Sequence, residues 1–286
     1  MKTYNTLYLE GRKTLLDAGF ETAREDARFL LSFASGKDVS SLISSYALYA
    51  TTEIEELYLR CIRRRLQNEP VAYITGSWEF HGLPLFIDRH VLIPRFDTES
   101  LIEAAMKALN NRPAPRILDL CTGSGCIACA LASEFPSAEV LALDNSREAL
   151  AVARKNVSSL SFSSRVTCLY ADVLLPPPPG CFGSYDLIIS NPPYIESSEI
   201  PLLEPSVCNY EPLSALDGGK DGLDFYRSIL NSWSSLLKDG ASIIFEVGEN
   251  QAEPVASLLS ENGFTDIGFT KDSIGIDRAV SAIKRQ

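Results

Sequence analysis

Two short stretches of this sequence bring together residue types that can do chemistry. The first is Asn191-Pro192-Pro193-Tyr194, which follows the apolar run DLIIS. Its two prolines hold φ and remove two backbone donors, so the carbonyls left behind act as acceptors. An asparagine oxygen and a proline carbonyl can accept both hydrogens of a planar NH2 group while an aromatic ring stacks on its face. Such a site suits an amide or an exocyclic amine, whose delocalised lone pair makes a poor nucleophile. Holding the group by both hydrogens aims the lone pair at an incoming methyl group and favours rehybridisation. The plain structural alternative is a strand that ends in prolines.

The second stretch is LDLCTGSGCIA, residues 118–128, in which an apolar run ends in a glycine-rich turn that opens a helix pattern. Glycines let the backbone approach a ligand closely at the carboxyl edge of a parallel sheet. Gly123-x-Gly125-x-x-Ala128 fits a dinucleotide fingerprint, and Asp144 follows Gly125 by 19 residues at the end of the next apolar run. That position suits a carboxylate that holds ribose hydroxyls. By itself the loop leaves three readings open: a nicotinamide dehydrogenase, an S-adenosylmethionine enzyme, or a structural turn.

The elements that must position these stretches read as follows. RILDL, VLALD, VTCLY, DLIIS and SIIFEV are continuous apolar runs, as strands buried on both faces require. Helix candidates CIACALASEF, REALAVARKNV and DFYRSILNSWSSLL lie between them, which predicts a parallel sheet with helices on both sides. FTDIGFTKD and RAVSAIKR add two strands separated by a turn, an antiparallel pair that closes the sheet. Before this region, the first 75 residues read as short amphipathic helices. Ala27, Leu30, Leu31 and Ala34 form one apolar stripe, and Ile54, Leu57, Tyr58, Cys61 and Ile62 another. Thr22 with Glu25 and Thr52 with Glu55 have capping-box spacing, and Gly19 and Gly36 stand where helices stop. TGSWEFHGLPLFIDRHVLIP, residues 75–94, reads as a β-hairpin that links two domains.

Charge narrows the possible partners. Of the net −11, residues 1–90 hold 11 Lys and Arg against 12 Asp and Glu, and residues 91–286 hold 15 against 25. An acidic second part repels phosphate backbones, so no stable nucleic-acid partner is expected. Arg60, Arg63, Arg64 and Arg65 form the exception, read as a solvated face or a partner contact. No apolar run reaches the roughly 18 residues of a membrane span. Glu10 and Arg12 interrupt the position of a signal-peptide core. Seven cysteines without a regular framework read as reduced thiols, so a cytoplasmic protein without membrane attachment is expected. Cys121, Cys126 and Cys129 have ferredoxin-like spacing, set aside in favour of small core residues. His81 and His90, the only histidines, give almost no material for a metal site or triad and read as surface or hairpin residues.

The glycine loop with NPPY resembles the S-adenosylmethionine-dependent methyltransferases that act on planar amino nitrogens, among them DNA adenine and protein glutamine methyltransferases. Further stretches resemble the release factor glutamine methyltransferases, the PrmC or HemK family. These are Thr75-Gly76 with Glu79-Phe80-x-Gly82-Leu83, Pro94-Arg95-Phe96-Asp97-Thr98-Glu99, Tyr210-Glu211-Pro212 with Ala215-Leu216-Asp217-Gly218-Gly219, Asp221-Gly222-Leu223, and Asp277-Arg278. The match runs from about residue 20 to the end.

The resemblance implies that Cys121, Thr122, Gly123, Ser124 and Gly125 line the cofactor loop, Asp144 binds the ribose, and Asp172 and Val173 lie at the adenine. Asn191, Pro192, Pro193 and Tyr194 would bind the substrate, with Asn191, Pro192 and Tyr194 catalytic and Asn191 also bordering the cofactor. The implied cofactor is S-adenosyl-L-methionine, with S-adenosyl-L-homocysteine as product and no metal. The implied acceptor is the Gln of the Gly-Gly-Gln tripeptide in class-1 peptide chain release factors. Phe96 replaces a usual proline, and Val173 stands where an aromatic residue often packs on the adenine. Together these readings predict an α/β protein, expected as a monomer. It comprises a helical recognition domain over 1–75, a hairpin linker over 76–93, and a seven-stranded Rossmann-like methyltransferase domain over 94–286. An adenine methyltransferase of DNA or RNA is the alternative on the same NPPY; a nicotinamide dehydrogenase would leave NPPY unexplained.

Overall fold

The structure, a computed structural model, describes residues 1–181 and 183–285. The chain forms two units, Met1–Ser77 with Glu204–Tyr210, and Trp78–Leu203 with the stretch from Glu211 onward. The hairpin expected to link the domains is thus counted almost wholly with the second unit, and Gln286, the last residue of the expected second domain, lies outside the described residues.

The first unit is helical. It contains α1 (Tyr4–Asp17), α2 (Ala23–Ser35), α3 (Val39–Ser44), α4 (Thr52–Arg65) and α5 (Val71–Thr75), joined by the short helix Pro205–Cys208. The apolar stripes face one core, in which Leu7, Leu15, Leu30, Leu31 and Tyr58 are fully buried. Gly36 takes a left-handed conformation and stops α2, as its position suggested. The helix starts differ from their expected form. Thr22 donates its hydroxyl to Asp26 (2.8 Å) instead of capping the backbone, and α4 is capped one residue earlier, by Thr51. Arg65 reaches from α4 to Asp26 on α2 (2.7 Å) and lies over the Phe20 ring, while Arg64 pairs with Glu69. With Arg63 Nε donating to the Leu59 carbonyl (3.2 Å), three of the four arginines are committed inside their own unit.

In the second unit a hairpin, β1 (Ser77–Phe80) and β2 (Leu83–Phe86), precedes α6 (Glu99–Ala108), β3 (Arg116–Leu120), α7 (Cys126–Glu134), β4 (Glu139–Asp144), α8 (Arg147–Ser159) and β5 (Val166–Tyr170). The remaining strands are β6 (Tyr185–Ser190), β7 (Leu237–Glu246), β8 (Phe264–Lys271) and β9 (Asp277–Lys284). The sheet order is β5-β4-β3-β6-β7-β9-β8. The first five strands in that order pair in parallel and the last two join antiparallel, as the sequence pattern predicts. Every residue of β6 is buried, which is why that strand carries no alternation. The helix expected over 224–237 stops at Leu236, because Leu237 opens β7, and it changes pitch along its length. It runs as an α-helix over Asp224–Ser228, a π-helix over Ile229–Trp233 and a 3-10 turn over Ser234–Leu236. The wide turn coincides with Trp233, which is fully buried and donates its indole N–H to the carbonyls of Val173 and Leu175.

Candidate functional site

The chain runs β3 to β4 to β5 on one side of the sheet, then returns to place β6 on the other side of β3. The carboxyl ends of β3 and β6 therefore border the point where strand order reverses, the usual ligand crevice of an open α/β sheet. Both chemical motifs leave the sheet here, Cys121 directly after β3 and Asn191 directly after β6.

The glycine loop is wound tightly. Cys121, Gly123 and Gly125 all have positive φ (59°, 54° and 78°), and Thr122 N–H bonds back to the Leu143 carbonyl (2.8 Å). A Cβ on Gly125 would meet the Ala153 methyl at 3.2 Å, so this glycine lets α7 and α8 pack together. Asp144, at the end of β4, accepts Gly123 N–H on one oxygen (2.8 Å) and Ser146 N–H on the other (2.9 Å). Burial raises its pKa, while these N–H donors oppose the shift. Beneath the loop, Asp119 is fully buried and accepts the Thr122 hydroxyl (2.5 Å); burial pushes its pKa up to about 7. Burial also raises the Cys121, Cys126 and Cys129 thiols, which keeps them protonated. Among the described residues no group of three or more His, Cys, Asp or Glu converges as a metal site would require.

The NPPY segment is held from three directions. Asn191 Nδ2 donates to the Thr98 hydroxyl (3.3 Å), and the Tyr194 hydroxyl donates to Glu246 Oε1 (3.3 Å) at the end of β7. Gln251 Nε2 donates to the Tyr194 carbonyl (2.8 Å), and Ile195 pairs with the 216–218 segment through two backbone bonds. Gly218 presses on the same backbone: a Cβ there would lie 2.7 Å from Tyr194 Cα and 2.9 Å from the Pro193 carbonyl. Glu246 is buried, and desolvation pushes its pKa up to about 7 against bonds from Thr98 and Tyr194 and the charge of Arg278. Arg95 pairs with the buried Glu211 (2.5 Å), tying the Pro94–Glu99 stretch to the 211–216 stretch.

These segments border an open cleft whose empty space, solvent included, is about 820 Å3. Of the expected site residues, Cys121, Thr122, Gly123, Ser124, Asp144, Val173, Asn191 and Pro193 line it. Gly125, Asp172, Pro192 and Tyr194 lie in the same loops without forming part of that lining; Asp172 turns a carboxylate oxygen to Leu174 N–H (2.9 Å). The lining also includes Thr98, Pro94, Phe225 and Pro212, which carried no assigned role. His90, expected as a surface or hairpin residue, lies outside the hairpin and borders the cleft, with its ring 3.0 Å from Asp88. Thr98 and Pro94 had a sequence signal, the Pro94–Glu99 motif; Phe225 and Glu246 had none beyond lying in a helix and a strand pattern. Phe96 is 70% exposed beside the Trp78 ring and does not line the cleft.

A seven-stranded sheet with these two loops at its switch point defines a methyltransferase. A model of the Methyltransferase small domain family matches residues 96–203, and one of the PrmC N-terminal domain matches residues 6–76. Solved structures agree on the fold. The catalytic domain of hMettl16, crystallised with a MAT2A 3′UTR hairpin, superposes with a TM-score of 0.56 at 17% identity, covering 80% of this chain and 81% of that one. Human methyltransferase 10 domain containing protein gives 0.52 at 18% identity, covering 71% and 90%. The sequence relatives are more specific. The Release factor glutamine methyltransferase of Geobacter sulfurreducens is 39% identical over 94% of this chain and 92% of its own. The proteins of that name from Clostridium acetobutylicum and Bradyrhizobium diazoefficiens are 37% and 40% identical, covering 96% and 94% of this chain and 96% and 91% of theirs. The chain belongs to the release factor glutamine methyltransferase family.

Proposed function

We propose that this protein methylates the side-chain amide nitrogen of the glutamine in the Gly-Gly-Gln motif of class-1 peptide chain release factors, in support of translation termination. The observation that carries the reading is the convergence of Asn191 and Pro193 with Gly123 and Asp144 on one cleft. A planar NH2 site thereby meets a ribose site.

The residues present fit S-adenosyl-L-methionine. Gly123 gives the cleft bare backbone at a positive φ, the carboxylate of Asp144 keeps lone pairs beyond its two N–H bonds for ribose hydroxyls, and buried Val173 gives an apolar wall for the adenine. When bound, the cofactor supplies an electrophilic methyl group, and transfer yields S-adenosyl-L-homocysteine, the N-methylated amide and a proton. The chain's own part is to hold the acceptor. Asn191 Oδ1 and the Pro192 carbonyl accept the two amide hydrogens, and the Tyr194 ring backs the amide plane with its hydroxyl anchored on Glu246. No base is needed before attack, because the nitrogen lone pair itself attacks.

On this reading the helical first unit recognises the protein substrate. The enzyme is a cytoplasmic monomer without a stable nucleic-acid partner or membrane attachment. The −10 balance of residues 91–286 supports the protein acceptor over DNA or RNA adenine, and no helix among the described residues is long and apolar enough to cross a membrane. Transfer of labelled methyl groups to a class-1 release factor, to the same factor with its tripeptide Gln changed to Ala, and to duplex DNA tests the proposal. Label on the first alone is expected; label on DNA, or none on the release factor, overturns it.

A further inference from the structure

We infer that Thr98 and Glu246 are positioning residues that set which way round the Asn191 amide sits, so that its oxygen and not its nitrogen faces the acceptor. The inference rests on the proposed amide-methylating role of Asn191 and explains how that role is enforced. An asparagine amide is nearly symmetric in shape, and turning it over exchanges an acceptor for two donors. In a site that must accept hydrogens from a substrate NH2, the reversed amide would present N–H to N–H. Something in the protein must forbid that state.

The forbidding group is a carboxylate two steps away. Glu246 ends β7 buried, its carboxylate flanked by Thr98 and by the Tyr194 hydroxyl, which donates to Oε1 (3.3 Å). Above a pH of about 7 Glu246 is ionised and can only accept, so the single O–H of Thr98 beside it is drawn toward it. Thr98 Oγ1 then has only lone pairs to offer on its other side. Asn191 Nδ2 occupies that side at 3.3 Å, which leaves Oδ1 for the cleft. Thr98 is 1% exposed and lines the cleft, so water has little room to substitute for its hydroxyl. Tyr226 fixes the far end of the chain of contacts, donating its hydroxyl to the Glu246 carbonyl (2.7 Å). The same carboxylate thus sets both polar ends of NPPY, Asn191 through Thr98 and Tyr194 directly.

The test is a steady-state comparison of wild type, T98V, T98S and E246Q on a class-1 release factor, with S-adenosyl-L-methionine binding and thermal unfolding measured alongside. Valine keeps the shape of threonine and removes the hydroxyl, so T98V should lower kcat about 10- to 100-fold, the size expected when a reacting group is misplaced. The KM for the release factor and the cofactor Kd should stay within about threefold, since neither the partner surface nor the Asp144 loop is touched. T98S restores the hydroxyl and should recover most of the loss, which a purely structural role for the methyl group would not allow. Should T98V unfold, E246Q carries the same test from the other side: its new donor competes for Thr98 Oγ1, and kcat should fall with the cofactor Kd unchanged. T98V or E246Q turning over at the wild-type rate, or T98S as slow as T98V, overturns the inference while the function stands. A wild-type enzyme that leaves the release factor unlabelled overturns both.

Discussion

Gly218→Ala puts the loop geometry to the most direct test. Gly218 has no positive φ, so alanine is barred by space alone. Its Cβ would lie 2.7 Å from Tyr194 Cα, 2.8 Å from the Tyr194 carbonyl carbon and 2.9 Å from the Pro193 oxygen, whereas ordinary contact begins at 3.4 Å. All three neighbours are backbone atoms, so no side chain can swing aside. The shortfall of about 0.7 Å must be taken up by moving NPPY against the Gln251 and Ile195 bonds that hold it. Overpacking of this kind costs about 1–3 kcal/mol of stability. Misplacing a reacting group by about 1 Å costs on the order of 10²-fold in rate. The glycine loop proposed for the cofactor lies elsewhere, so the expected pattern is kcat down about 10- to 100-fold, cofactor Kd unchanged by calorimetry, and Tm lowered by several degrees. A G218A enzyme with wild-type kcat and Tm would refute the argument that this glycine is the seat of the NPPY backbone.

Three further outcomes follow from the same geometry. Asn191→Ala removes the acceptor for the amide hydrogens and should reduce kcat by about 10²–10³, with cofactor affinity within about threefold; near-normal turnover would sink the assignment. Asp144→Asn replaces one of two acceptor oxygens with a donor that faces a backbone N–H, a loss of about 1.5–3 kcal/mol in a charge-assisted bond. S-adenosyl-L-methionine should bind roughly 10- to 150-fold more weakly by calorimetry, and an unchanged Kd would count against the ribose role. Asp119 has its pKa raised to about 7 by burial, so the stability it contributes is complete below its ordinary value near 3.8 and is lost as pH rises through about 7. Asp119→Asn lacks that titration, so its Tm relative to wild type should rise between pH 5 and pH 8; parallel Tm curves would disprove the shift.

The strands and the glycine loop were legible because their signals are local. A strand buried on both faces must be continuously apolar, and a left-handed turn at a helix start wants glycine, so β3, β6 and the turn at Gly123 and Gly125 could be read to within a residue, while the positive φ of Cys121 had no such signal. Helix caps in the first unit were legible only to within a residue. Thr51 and Thr52 are chemically equal candidates, and the choice falls to whichever hydroxyl the chain delivers to a free N–H. The π turn at Ile229–Trp233 had no local signal, since it coincides with an indole that reaches carbonyls nearly 60 residues earlier in the chain.

The residue types at the site, and hence the class of nitrogen it suits, could be read from Asn191–Tyr194 and the glycine loop without coordinates, because each motif is contiguous. The neighbours that give those types a direction could not. Thr98, Glu246 and Gly218 lie 28 to 148 residues apart in the chain, and each looks ordinary in its own segment: a helix start, a strand end, a glycine turn. Their proximity is set by the return of the chain to β3 and by packing along the carboxyl edge of the sheet. Short-range sequence patterns record hydrophobic period and turn chemistry, whereas the orientation of an amide depends on hydrogen-bond partners that only the closed fold brings within 3.3 Å.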